Sequence, residues 1–167
     1  MKIYVKSIVV IVCICLVMGL LLAGVYQLTA PVIAANEEAA KQKALDEMFA
    51  GSTFALLETP DAPKSITAVY AVNGGSAYVA YLRVVTGYTN GETTLALGYD
   101  AATGTITELR FLTYNESVDC GPEFPASFAG QTGALTDVNT TASPAIYTRA
   151  AVKSAVEEAC GYLAGLH

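Results

Sequence analysis

The apolar and polar positions of this chain fall into two regimes. From Ser7 to Ala35 no side chain is charged, and the centre of the run reads IVVIVCICLVMGLLLAGVYQL. About 20 apolar residues in an α-helix cross the hydrocarbon layer of a bilayer, so the run predicts a transmembrane helix, with residues 1–35 as an anchor. Lys2 and Lys6 precede it, and Glu37 and Glu38 are the first charges after it. The basic flank keeps the N-terminus cytoplasmic and sends the rest of the chain outside. A cleaved signal peptide is the alternative, with Ala30, Ala34 and Ala35 as a cleavage site. Its apolar core would span about 7–15 residues, shorter than this run. Pro31 is expected to break or kink the helix where it leaves the bilayer.

Past the anchor the pattern shortens. Residues 36–50 (NEEAAKQKALDEMFA) predict a second helix, capped by Asn36, with Glu37 and Glu38 at the positive end of its dipole. Ala40, Ala44, Leu45, Met48 and Phe49 recur at helical spacing, which fits a stalk or docking helix, and Gly51 is placed to end it. Residues 52–66 read as a loop carrying Pro60 and Pro63. Strands are then expected at Ala68–Val72, Ser76–Thr86, Glu92–Asp100 and Thr105–Thr113. Turns at Asn73-Gly74-Gly75, Tyr88-Thr89-Asn90-Gly91 and Ala101–Gly104 separate them. In the last strand Thr107, Leu109 and Phe111 alternate with Glu108 and Arg110, so one face is expected to be wet. Residues 114–142 are irregular, with a short helix near Pro125–Ala129. Tyr147–Leu163 predicts a closing helix with Val152, Val156, Ala159 and Leu163 as its core stripe. The fold class is α+β: an N-terminal transmembrane helix, then a small antiparallel meander packed with helices. Its divisions are 1–35, a juxtamembrane helix and loop at 36–66, and a folded domain at 67–167.

Charge narrows the partners. Past the anchor there are seven basic residues against fifteen acidic ones. A nucleic-acid surface needs clustered Lys and Arg, so no nucleic acid is expected. Of the four cysteines, Cys13 and Cys15 fall in the apolar run, where Cys behaves as a small apolar residue. Cys120 and Cys160 lie outside it, where an oxidising compartment permits a disulfide. His167 is the only histidine, so a His/Cys metal site and a serine-hydrolase triad are both unexpected.

The order of several segments carries more. LTAPVIA follows the apolar run and precedes an Ala/Glu/Lys helix. A strand ends in Gly87-Tyr88, then comes GETTLALGYDAATGTITELRFLTYNES, and SPAIYTRAAVKSAV opens the last helix. This order, from about Leu16 to Val156, resembles the FMN-binding domain family. That family includes the RnfG component of Rnf-type electron-transport complexes and a flavin-carrying component of the sodium-pumping NADH:quinone oxidoreductase. The resemblance implies a domain held outside the cell membrane by one helix, partnered by the other membrane subunits of such a complex. It also implies FMN linked through its phosphate to the Thr of an S-G-A-T segment, passing electrons that drive ion movement. A helix N-terminus suits a phosphate, and the redox chemistry belongs to the flavin.

The cofactor-binding candidates that follow are Ser143, Pro144, Ala145, Ile146, Tyr147 and Thr148, with Glu116 and Gly121 from the upstream loop. Three registers stay open for the attachment point. Matching Ser143 and Thr148 to the family segment puts Ile146 there; anchoring on Arg149-Ala150 puts Ala145 there; starting from Asp137 puts Ser143 there. Ile and Ala cannot form a phosphoester, and Pro144 stands where the family has Gly. The family loop ETPGLG is replaced by Glu116-Ser117-Val118-Asp119-Cys120-Gly121, which keeps only its ends. Covalent FMN, non-covalent FMN and a cofactor-free relative therefore all remain, the last as a structural, assembly or ligand-binding subunit of the envelope. Tyr70, Tyr78, Tyr81, Tyr88, Tyr99 and Tyr114 are expected to pack within the sheet, as Tyr is favoured in strands. Glu108 and Arg110 are expected on an exposed face, and Cys120 as a structural thiol.

Overall fold

A computed structural model describes residues 2–86, 91–116, 118–141 and 144–166. The chain separates into two compact units, residues 1–40 and 41–167.

The first unit is helical from Lys2 and belongs to α1, Lys2–Met48. From Lys6 onward this helix is long and apolar enough to cross a membrane. It neither breaks at Pro31 nor restarts at Asn36, so the two predicted helices are one. Proline removes a single N–H from the ladder. Ending one helix and beginning another would leave about four N–H and four C=O groups without partners. Alanines and glutamates on the far side of Pro31 are good helix formers and carry the helix onward. Just upstream, the Thr29 hydroxyl donates to the Val25 carbonyl at 2.9 Å.

The second unit is built on a five-stranded antiparallel sheet in chain order, β1-β2-β3-β4-β5. The strands are β1 Phe54–Leu57, β2 Ile66–Val72, β3 Ala77–Val85, β4 Glu92–Asp100 and β5 Thr105–Thr113. Four were expected; β1 lies in the stretch read as a loop. Four residues are too few to show a period in sequence. They pair because Asn73, left-handed at φ 48°, reaches back from the β2–β3 turn. Its Oδ1 accepts from the Thr53 N–H at 3.0 Å, and its own N–H donates to the Thr53 carbonyl at 2.9 Å. The predicted turn Tyr88-Thr89-Asn90-Gly91 lies outside the described residues except for Gly91, whose carbonyl accepts from the Thr86 N–H at 3.1 Å.

Each face of the sheet has its own core. On one face Val69, Ala80, Leu82, Leu95, Leu97, Ile106 and Leu109 pack with Phe124 of α2 (Glu123–Ala126) and with α3 (Ile146–Leu163). Val152, Val156, Ala159 and Leu163 are all fully buried, as the stripe predicted. Each Val or Leu so buried contributes about 1.5–3 kcal/mol. The other face carries Val72, Val79, Tyr81 and Ala96, covered by Ala44 and Leu45 from the last turns of α1. The Tyr81 hydroxyl donates to the Lys41 carbonyl at 2.7 Å, and Arg110 pairs with both Glu47 and Glu108. Glu108 and Arg110 therefore help fasten a helix rather than line an open face.

The expected alternation in β5 needs one correction. Ile106, not Thr107, faces the α3 side, because Tyr99 pairs with Ile106 and Gly98 with Glu108, which leaves Thr107 as an extra residue. A bulge of this kind resets the period by one. Gly98 sits opposite it with no room for a side chain: a Cβ there would lie 2.4 Å from the Thr107 hydroxyl oxygen and 3.0 Å from Cε of Met48.

Candidate functional site

Strand register gathers the C-terminal end of β3, the start of β4 and the end of β5 at one edge of the second unit. Thr86 and Thr93 are completely buried there. They follow Val84 and precede Leu95 on the α3 side, extending an apolar row with hydroxyls. The Thr86 hydroxyl donates to the Glu116 carboxylate and lies 3.3 Å from the Gly91 carbonyl. The Thr93 hydroxyl has no hydrogen-bond partner among the described residues.

The loop beyond β5 folds back on itself. Tyr114 donates to the Val118 carbonyl and lies 3.3 Å from the Cys120 sulfur. Gly121 adopts φ 79°, and its N–H donates to Asp119 Oδ1 at 3.0 Å. The positive φ at Gly121 calls for glycine here. Burial pushes the Cys120 thiol up, the Tyr114 contact opposing it only in part. Burial likewise raises Tyr114. Cys160, on the buried face of α3, is pushed up to about 12 by burial and then by Glu157. Neither thiol is in a disulfide, and both stay protonated near neutral pH.

Arg149, in the first turn of α3, joins this loop to the helix. It is 4% exposed. One Nη donates to the Asn139 carbonyl at 3.1 Å. The other donates to the Cys120 carbonyl and to Glu123 Oε1 at 3.1 Å. The guanidinium stacks 4.8 Å from the Phe124 ring centre, while Nε is buried without a partner among the described residues.

The structure thus brings the Glu116–Gly121 loop and the start of α3 together through Arg149. Pro144 is exposed, and Ala145 is the buried N-cap, with no side-chain capping bond. Ile146 and Tyr147 are 45% and 65% exposed, and Thr148 is 3% exposed. Ser143, Tyr88 and Ser117 lie outside the described residues. Among the other tyrosines, Tyr78, Tyr81 and Tyr99 are buried in the two cores.

Arg149, Thr86, Thr93 and Asn139 were absent from the expected site. Arg149 carried a usable signal. It stands three residues before Val152 and seven before Val156, a charged residue on an apolar stripe. The threonines gave none, since a strand-end Thr reads the same whether buried or exposed.

The described residues do not fit a phosphoester-linked FMN. In the two registers they cover, the attachment point is Ile146 or Ala145, neither of which has a hydroxyl. Thr148 has one, but it is buried. Arg149, the cation of this corner, is committed to two carbonyls and a carboxylate, and Glu116, Asp119 and Glu123 would repel a phosphate.

Residues 2–48 match the family model described as RnfG N-terminal region, a stretch that coincides with α1. No curated protein matches the chain. Over that N-terminal stretch, a little over a quarter of its length, the chain is similar to the RnfG component of Rnf-type complexes.

Proposed function

We propose that this chain is a single-pass subunit of an Rnf-type ion-translocating electron-transport complex. Its N-terminus is cytoplasmic, and its folded domain is extracytoplasmic. It associates with the other membrane subunits of such a complex. The domain serves as a structural or assembly piece and holds no covalently linked FMN. The match of residues 2–48 supports the assembly. The start of α3, with Ile146 exposed and lacking a hydroxyl, carries the statement about the cofactor.

A second reading makes the domain an electron carrier with non-covalent FMN. What favours it is the retained order of segments, with the Glu116–Gly121 loop set against the start of α3. When bound, the flavin would supply the redox chemistry. This chain's own residues would position it.

One preparation separates the two. The full-length protein is produced with the family's flavin transferase and purified in mild detergent. Its visible spectrum is then recorded, and a denaturing gel is viewed under ultraviolet light. No fluorescent band and no flavin absorption near roughly 370 and 450 nm are expected. Absorption without a gel band would favour the electron carrier. A gel band lost in Ser143→Ala would overturn the cofactor-free reading and place the link at Ser143. Co-purification with the membrane subunits tests the assembly, and its absence would sink that part.

A further inference from the structure

We propose that Asn139 is the acceptor of an N-linked glycan. The inference rests on the reading that the folded domain lies outside the membrane. The sequence holds two Asn-x-Ser/Thr triplets without an intervening proline, Asn115-Glu116-Ser117 and Asn139-Thr140-Thr141. Such a triplet is an acceptor only on an accessible loop outside the cytoplasm.

The structure separates the two. Asn115 is fastened to the sheet: its side-chain N–H donates to the Glu92 carbonyl at 3.2 Å. The next residue, Glu116, accepts from the buried Thr86 hydroxyl. Asn139 is exposed as Asn115 is, but lies away from the sheet, in the loop between Val138 and α3. Its Oδ1 accepts twice from Thr141, from the N–H at 2.8 Å and from the hydroxyl at 3.1 Å. Its backbone carbonyl is held by Arg149 at 3.1 Å. The main chain is thereby fixed while the side chain stays at the surface.

This local arrangement is an Asx turn completed by a hydroxyl. Two donors on Oδ1 draw electron density out of the amide and make the Nδ2 protons easier to lose. The third residue of the triplet does this, which gives the requirement for Ser or Thr a physical reason. The co-reactant is a saccharide carried on a polyprenyl phosphate or diphosphate and presented by a membrane oligosaccharyltransferase. Nδ2 attacks the anomeric carbon. An N–C bond forms and the C–O bond to the phosphate breaks. The polyprenyl phosphate or diphosphate leaves with the electron pair, and one Nδ2 proton passes to a base of the transferase. Nothing is oxidised or reduced.

The test is synthesis of the full-length protein into membranes that contain the transferase and its lipid-linked donor. We expect one slower gel band that collapses on N-glycosidase digestion, with residue 139 converted to aspartate in the peptide mass. The band should vanish in Asn139→Gln and in Thr141→Ala, both surface changes, and persist in Asn115→Gln. An unmodified wild type, or a band that survives Asn139→Gln, overturns the inference. Gly51→Asn tells whether the topology falls with it. That substitution places an acceptor ahead of Ser52-Thr53, at an exposed turn whose φ of 75° suits Asn. Its modification beside an unmodified wild type would leave the topology standing. Its failure, together with digestion of the domain by protease added outside those membranes, would take the topology down as well.

Discussion

Replacing Arg149 by methionine tests the join at the candidate site most directly. Methionine keeps most of the stem and removes the guanidinium. Two carbonyls, those of Asn139 and Cys120, lose their donor, each at about 1–3 kcal/mol if left buried and unpaired. The Phe124 contact adds about 1 kcal/mol. The Glu123 ion pair adds little, since its carboxylate side is 72% exposed. Relief of the unpartnered Nε offsets about 1–3 kcal/mol. The balance is a destabilisation of about 2–3 kcal/mol, roughly a hundredfold in the folding equilibrium. Urea unfolding of the full-length protein in detergent, followed by circular dichroism, reads this as a lower midpoint with unchanged slope. Arg149→Lys should fall between the two, because an ammonium cannot reproduce the planar fork. A midpoint for Arg149→Met equal to wild type would refute the claim that this side chain joins the loop to the helix.

Leu45→Ala should cost about 2–5 kcal/mol, the range for a fully buried leucine; a loss below about 1 kcal/mol would mean that the end of α1 is not docked on the sheet. Cys120 and Cys160 should resist iodoacetamide at pH 8 in the folded protein and label on unfolding; labelling of native protein would contradict the burial. For Cys160 the folded value is raised, from 9.0 to about 12. The unfolded chain therefore loses its proton first, and stability should fall as pH rises from about 9 towards 12. A flat alkaline limb would remove that linkage. Pro144→Gly with Ile146→Thr should restore the attachment segment in the register that matches Ser143. If no flavin is then gained, the Glu116–Gly121 loop has lost its fit as well.

The sequence made those elements legible whose signal is local and repeated. The apolar run, the Asn73-Gly74-Gly75 and Ala101–Gly104 turns, and the 152–156–159–163 stripe each repeat or concentrate one cue, and each is in the structure. Features decided by distant partners were not legible. β1 exists because Asn73 reaches it from the next turn. Continuity through Pro31 depends on the combined cost of two helix ends, which no single residue displays. At the candidate site, the order of segments pointed to the Glu116–Gly121 loop and the start of α3, which the structure sets side by side. The residue between them, Arg149, serves only to set a register in sequence, because two of its partners are backbone carbonyls, which every residue has.

The bulge at Thr107 has a consequence for how this sequence can change over time. The Thr107 side chain occupies the space that a Cβ at Gly98 would need, so position 98 is not free to gain a side chain while Thr107 stays. Deleting Thr107 would restore alternation from Ile106 to Phe111, with Ile106 and Leu109 still inward, and would open that space. An alanine at 98 should be costly in the present chain and tolerated in the deletion. Among diverging relatives, a side chain at 98 should therefore travel with a β5 shorter by one residue. Aligning such sequences residue for residue across this strand would put every later position one step out of register.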